Sequence, residues 1–325
     1  MTSLYVDRRD ARLALERGAL VVRIPGERPR SVPLRGLERL VLRSGLHVAT
    51  SLLAELWRRD VGVLVLAGRG EEPTARFLGR PRRQLRRRLL QYELVRDPTR
   101  RLAFAREIVA ARIRGSRRLL ARLEATGRGA RHRLREAHAR LAEAEQAAFA
   151  APELPVLLGV EGSAAAVFFE AYGTLFPPAL GFAGRNRRPP RDPVNACLSL
   201  GYTLLHAEAA RHARLHGFDP MLGALHAPAA GRESFACDLV EPLRCHVERF
   251  VADLFAERVL RARDFTRSGE ACHLARTARS RFYERFEALR PGLARLLARL
   301  CRRWARELER RVPLTVPLDD DGDLP

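Results

Sequence analysis

The sequence predicts an α+β protein, with a small N-terminal β domain followed by a larger all-α C-terminal domain. Three observations carry this reading. Up to about residue 75, short apolar stretches alternate with turn residues, whereas beyond residue 80 long Arg/Leu/Ala/Glu segments repeat apolar positions at three and four. The change falls in Gly- and Arg-rich sequence near 70–85, a natural boundary. The chain has 325 residues, 46% of them apolar, long enough for two cores. The expected division is therefore 1–78 for the β domain, 79–312 for the helical domain and 313–325 for an acidic, disordered tail.

In order, strands are expected at 4–6, 12–15, 19–24, 31–34, 37–42 and 61–66, each bounded by turn residues. One short helix fits 51–59, with Thr50 or Ser51 as its cap and Glu55 in the first turns. The Gly- and Pro-containing stretch 68–73 then breaks the pattern. Helices follow at 82–96, 99–125 and 130–150, with Pro98 between the first two. After the proline-marked break at 151–155, further helices are expected at 156–175, 193–216, 234–262, 270–288 and 292–311.

The net charge is +21 and the sequence pI about 11.3, and all 59 basic residues are arginine. Guanidinium forks match phosphate geometry, so a polyanion is the expected partner. A membrane surface is disfavoured because no basic amphipathic anchor stands out and no apolar run approaches the ~18 residues of a span. The five cysteines, Cys197, Cys237, Cys245, Cys272 and Cys301, form no C-x-x-C pair and are odd in number. Zinc-finger and disulfide frameworks therefore fail, and reduced thiols in a cytoplasmic protein are expected.

Four residues in three short patches suggest chemistry. Glu161 lies on a helix whose same side carries Ala164, Ala165, Phe168 and Tyr172. A lone carboxylate on such a stripe needs a cation, a hydrogen-bond network or protonation, and a core arginine would serve as well as a metal. His226, between Gly/Pro-rich segments, enters a loop where a neutral imidazole can ligate a metal or simply face solvent. Asp238 and Glu241 are three apart. Followed by Pro242 they read either as an N-cap with its first-turn acid or, if the helix already starts at Ser234, as two internal acids on one face. Carboxylates with an imidazole suit Mg²⁺ or Mn²⁺, and zinc stays open.

Arg185, Arg187, Arg188 and Arg191 lie in an extended Pro-rich segment between Glu161 and Asn195, a plausible clamp on double-stranded DNA, with Arg244 grouped beside them. The run from Arg80 to Arg88 is denser and either tracks a duplex backbone or is a solvated face. Aromatics are only 6%, so base stacking is disfavoured against backbone contact.

GVEGSAAAVFF at 159–169, RRPPRDPVNACLSLGYTLL at 187–205, GFDPMLGALH at 217–226 and RESFACDLVEPLR at 232–244 together resemble the successive blocks of the CRISPR-associated adaptation integrases, CRISPR-associated protein one. The order and spacing match, and the resemblance covers most of the chain. It implies that Glu161, His226 and Glu241 are the metal ligands and that Asp238 supports them or contacts substrate. It further implies a homodimer formed through the N-terminal domains and bridged by CRISPR-associated protein two. The implied activity is that of a metal-dependent endonuclease and integrase that inserts short foreign DNA into a CRISPR array by 3′-hydroxyl attack. Two departures are mild: a small residue in the GALH block, and Cys245–His246 where a proline is common. A transposase of a related mobile element and a non-catalytic DNA-binding scaffold are the alternatives.

Overall fold

The computed structural model describes residues 2–43, 45–66, 73–77, 84–186 and 189–315. Contacts divide the chain into two units: Met1–Pro81 with Arg279–Glu287, and Arg82–Ala278 with Ala288–Pro325.

The first unit holds two four-stranded sheets. Its strands are β1 (Thr2–Val6), β2 (Arg12–Glu16), β3 (Ala19–Arg23), β4 (Arg30–Pro33), β5 (Leu37–Arg43), β6 (His47–Val48), β7 (Gly62–Leu66) and β8 (Pro73–Phe77), with α1 (Thr50–Arg58) before β7. One sheet has the order β1-β5-β7-β8; β5 runs parallel to β1 and β7, and β8 closes antiparallel. The other has the order β4-β3-β2-β6, antiparallel except for β2 with β6. Leu13, Leu20, Leu40, Leu52, Leu56 and Val63 lie in its buried core. The strands β6 and β8 were not expected: β6 is two residues long, and β8 begins with a proline. The N-cap of α1 is Ala49, without a side-chain bond, rather than Thr50 or Ser51. Glu55 instead takes Arg58 and Arg59 as partners.

The central position of β5 leaves Arg39 and Arg43 almost fully buried. Burial of a guanidinium requires partners. Arg39 donates to the Tyr5 hydroxyl (2.8 Å) and to Glu287 (2.7 Å), while Arg43 and Arg279 reach Asp7 at 3.1 and 2.6 Å. The rings of Tyr5 and Tyr283 stack at 4.3 Å. The stretch Arg279–Glu287, which the sequence assigns to the helical domain, therefore completes the β-rich unit.

The second unit contains α2 (Leu85–Arg96), α3 (Pro98–Ala125), α4 (Arg131–Ala150), α5 (Leu154–Gly173), α6 (Pro193–Leu215), α7 (Ser234–Val240), α8 (Arg244–Ala256), a hairpin of β9 (Phe265–Ser268) and β10 (Ala271–Leu274), and the greater part of α9 (Arg276–Arg311). Pro98 starts α3 rather than separating helices: it occupies the first turn, and the Asp97 side chain accepts the Arg100 amide at 3.0 Å. Asp192 and Pro193 open α6 in the same way.

The helical domain is not all-α. The expected helix 234–262 is interrupted by a 3-10 turn, Glu241–Leu243, because Pro242 has no amide to give. The expected start of the next helix at 270 is instead a turn at Gly269–Glu270 leading into β10, and the φ of +60° at Gly269 suits a two-residue turn. Conversely, 270–288 and 292–311 are not separate helices, because α9 runs through Pro291. A proline inside a helix costs roughly 3 kcal/mol. Burial of Leu293, Leu297, Cys301, Trp304 and Leu308 beyond it offsets that cost.

One further expectation is corrected. The helix α5 is long and apolar enough to cross a membrane by length and composition, with mean hydropathy 1.5 over its 18-residue window. Glu161 and Glu170 interrupt the apolar run without lowering its average enough. In this structure α5 packs against α3 and α4, with Phe168 and Tyr172 fully buried. All five cysteines are free. The Gly68–Pro73 break, the start of the Arg80–Arg88 run, Arg187 and Arg188, and most of the acidic tail lie wholly or largely outside the described residues.

Candidate functional site

Asp238 is the organising residue. Helix α7 already begins at Ser234, so Asp238 is internal to it and does not cap its own helix. Its carboxylate, fully buried, accepts the amides of Ala224 (2.6 Å), Leu225 (3.1 Å) and His226 (3.0 Å). Three amides meet the needs of a buried anion and fold the 223–226 segment around it. The same carboxylate lies 2.8 Å from His226 Nδ1. A carboxylate only accepts, so Nδ1 carries the proton and Nε2 presents its lone pair. Nε2 makes no hydrogen bond to any described residue.

This is the support that metal-binding imidazoles commonly have. Burial works against protonating His226, but the hydrogen bond and charge of Asp238, and the charge of Glu241, outweigh it and raise the imidazole above its usual value.

The loop bearing His226 is held from two further sides. Gln91 of α2 is buried; its oxygen accepts the Asp219 amide (2.8 Å), and its amide donates to the carbonyls of Asp219 (3.2 Å) and Leu222 (3.3 Å). Arg101 of α3 donates to the Ala224 carbonyl at 2.7 Å. The Pro220 carbonyl accepts the Phe235 amide at 2.8 Å and so ties the loop to the start of α7. At Gly223 any Cβ would meet the backbone of His226 and Ser234 at 2.6–2.8 Å, so only glycine fits. Neither Gln91 nor Arg101 was found from sequence. Both sit in helical text of ordinary composition, and their bonds go to backbone atoms more than 120 residues away.

Glu241 is buried in the 3-10 turn, with Arg244 Nε at 2.9 Å and Arg112 Nε at 3.9 Å. Arg112, from α3, also holds fully buried Glu248 through two bonds of 3.0 and 2.5 Å, and Tyr202 donates to Glu248 at 2.7 Å. The ring of Tyr202 lies under Arg244 (4.7 Å) and Arg185 (5.6 Å). Two acids thus share a buried cationic and phenolic network directly behind the 3-10 turn.

Glu161 is half-buried on α5, with no hydrogen bond or ion pair to any described residue. Its side of the helix continues through buried Ala164 to Phe168, over whose ring Arg112 lies at 5.4 Å. Seven residues separate Glu161 from Phe168, about 10 Å along the axis. Both α5 and the Glu241 turn pack on α3. The structure pairs His226 with Asp238 and sets the charge of Glu241 within reach of His226, while Glu161 stands on a different helix, α5. As the side chains stand, no three His, Cys, Asp or Glu groups among the described residues gather closely enough to hold a metal ion. The carboxylate of Glu241 is turned to its arginines. The donor types do fit a hard divalent cation: carboxylate oxygens with one imidazole whose proton is fixed on the far nitrogen.

Of the arginines expected at DNA, Arg185 folds back onto α6, donating to Asn195 (2.8 Å) and Ser199 (3.1 Å). Arg191 is exposed and paired with exposed Glu270 at 3.1 Å. Arg244 is mostly buried against Glu241.

Comparisons with known proteins agree on one family. Residues 4–288 match the family described as CRISPR associated protein Cas1. A curated relative from Thermodesulfovibrio yellowstonii, named CRISPR-associated endonuclease Cas1 1, is 34% identical over 294 residues, covering 88% of this chain and 91% of its own. Among solved structures, a Cas1 protein from Thermotoga maritima has a TM-score of 0.85 at 20% identity, covering 95% of this chain and 97% of that one. A casposase bound to integration product has a TM-score of 0.84 at 20% identity, covering 98% and 94%. A chain of a Cas6-RT-Cas1–Cas2 complex has a TM-score of 0.80 at 22% identity over 97% of this chain and 36% of that one. The four sequence blocks, the β-rich and helical units and these matches lead to one conclusion: this chain belongs to the Cas1 family of CRISPR-associated endonucleases.

Proposed function

We propose that this chain is a metal-dependent DNA endonuclease and integrase that joins short foreign DNA to the repeat at the edge of a CRISPR array. The observation that carries the reading is the 2.8 Å contact of Asp238 with His226 Nδ1, which leaves Nε2 as the electron-pair donor beside a buried carboxylate. Glu161, His226 Nε2 and Glu241 would hold Mg²⁺ or Mn²⁺. Such an ion lowers the pKa of an attacking hydroxyl and stabilises charge on the phosphate and the departing oxygen.

The chain's own residues do the remaining work. Asp238 keeps the proton of His226 on Nδ1. Gln91, Arg101 and the bare backbone at Gly223 fix the loop on which His226 stands. Arg112 and Tyr202 hold Glu248 behind the Glu241 turn, and Arg244, drawn onto Glu241 and stacked on the Tyr202 ring, fixes that turn from the other side. In the transfer, the 3′-hydroxyl oxygen of the fragment bonds to a repeat phosphorus as the bond to the repeat's 3′-oxygen breaks. The proton lost by the hydroxyl balances the one gained by the leaving oxygen. One phosphodiester is exchanged for another, so no nucleotide hydrolysis is required.

Double-stranded DNA is the substrate, and the working assembly is a homodimer joined by Cas2; the fold shared with a chain of a Cas1–Cas2 complex supports that partner. The fold shared with a casposase favours one second reading, a transposase acting through the same chemistry. The test is incubation of the protein, with and without Cas2, with a short duplex and a repeat-bearing plasmid in Mn²⁺ or EDTA. Covalent joining that requires metal and is lost in Glu161→Ala supports integration. Joining that ignores the repeat points to the transposase, and binding without joining under every condition refutes both.

A further inference from the structure

A further line of arginines lies outside the basic runs at 80–88 and 185–191. On α9, Arg295, Arg299, Arg302 and Arg306 are all exposed and follow one another at steps of four, three and four. At 100° per residue they fall within about 60° of arc and span about 16 Å of axis. None has a hydrogen bond or an acidic partner among the described residues. Their neighbours on the same helix are treated differently. Arg303 and Arg311 reach Glu107 at 3.2 and 2.5 Å, and Arg310 reaches Glu307 at 2.6 Å.

Like charges at helical spacing of three and four repel one another and weaken the helix that carries them. The line is therefore a cost to the free protein. A polyanion laid along the line removes the repulsion.

From these observations we infer that the exposed arginine line of α9 is a docking surface for the phosphate backbone of duplex DNA. About 16 Å of duplex presents nearly ten phosphates, counting both strands, so four guanidiniums in a row meet a dense and regular charge. A membrane surface fits less well. A helix lying on lipid buries apolar side chains beside its basic ones. The apolar side of α9 is already used: Trp304 packs on Phe104 at 4.9 Å and on Phe235 at 5.2 Å. Phe235 lies on α7, the helix of Asp238, so the line occupies the side of α9 that faces away from that packing. A duplex held there is held at a second place, separate from the strand being joined. The inference rests on the proposed DNA activity.

The test measures duplex affinity against salt for the full-length protein and for the triple variant Arg299→Gln, Arg302→Gln, Arg306→Gln. Loss of three contacts lowers the log–log salt slope by about two to three units. The triple lysine variant at the same positions retains the slope, and Arg310→Gln, whose side chain is held by Glu307, leaves it unchanged. The glutamine variant melts no lower than the parent. An unchanged slope in a protein that still binds duplex overturns the inference and leaves the integrase reading standing. Loss of binding to anionic vesicles with an unchanged duplex slope overturns it in favour of a membrane. Joining activity and Glu161→Ala, which keeps the slope, report separately on the integrase reading.

Discussion

His226 gains its chemistry from a neighbour twelve residues along the chain. With the imidazole raised above its ordinary value by Asp238, the proposed metal ligand must shed a proton to bind a cation. Mn²⁺ affinity should therefore climb with pH through this range. Asp238→Asn removes the charge that raises the imidazole, so the climb should move to lower pH while plateau affinity falls about 10- to 100-fold. Calorimetric titration of Mn²⁺ across pH values measures both, and a step that stays in place refutes the assignment. The linkage has a definite sign for folding too. The His226–Asp238 pair contributes stability that is fully present below the unfolded imidazole value and is lost as pH rises through the folded one.

A second prediction at this scale concerns Arg244. It presses a fixed positive charge on Glu241 at 2.9 Å and competes with any cation brought to that carboxylate. Arg244→Gln should tighten Mn²⁺ binding several-fold in the absence of DNA; looser binding would mean that Arg244 serves mainly to hold Glu241 in place.

At the scale of elements, α3 does more than its composition announces. Arg112 brings a guanidinium into the interior for Glu248, which is itself fully buried. Arg112→Ala leaves that carboxylate without a counter-charge and should cost about 3–5 kcal/mol, read from chemical denaturation. Replacing both residues by leucine should recover much of the loss. Helices α2 and α3 also grip the His226 loop. Gln91→Leu strands an amide and two carbonyls, a cost of about 1–3 kcal/mol. It should also weaken Mn²⁺ binding more than an equally destabilising core change elsewhere does.

Much of this scale was legible in the sequence. Short apolar stretches bounded by turn residues gave six of the strands, and apolar positions recurring at three and four gave the long helices. What was hidden depended on neighbours. The hairpin β9–β10 has only four residues per strand in Arg- and Ala-rich text. The passage of α9 through Pro291 depends on the core buried beyond it. Glu161, His226, Asp238 and Glu241 could be chosen because their patches stand out against Arg/Ala/Leu monotony and resemble known blocks. The roles of Gln91 and Arg101 could not, because a side chain bonded to remote backbone leaves no local signature.

For the whole molecule, the division into units is not a division of the sequence. Arg39 and Tyr5 depend on Glu287, and Asp7 on Arg279, nearly the full chain length away. A fragment ending at Pro81 lacks these partners and the Tyr283 ring. It should show no cooperative thermal transition, and one should return when residues 276–290 are linked to it. A sharp melt of the short fragment would show that the buried arginines tolerate their loss.

The segment from Arg185 to Arg191 carries a consequence of a different kind. Its described ends are tied without the Arg191 side chain: the Cys272 amide reaches the Pro190 carbonyl at 2.7 Å, the Asn186 amide reaches Asn195 at 3.1 Å, and Asn186 in turn receives the Arg191 main-chain amide at 2.8 Å. Contour and charge are thus separately encoded. The exposed cation at 191 can be exchanged for a neutral or acidic residue while these main-chain bonds persist, so descendants of this scaffold are free to retune the charge of that edge without relearning how to fold.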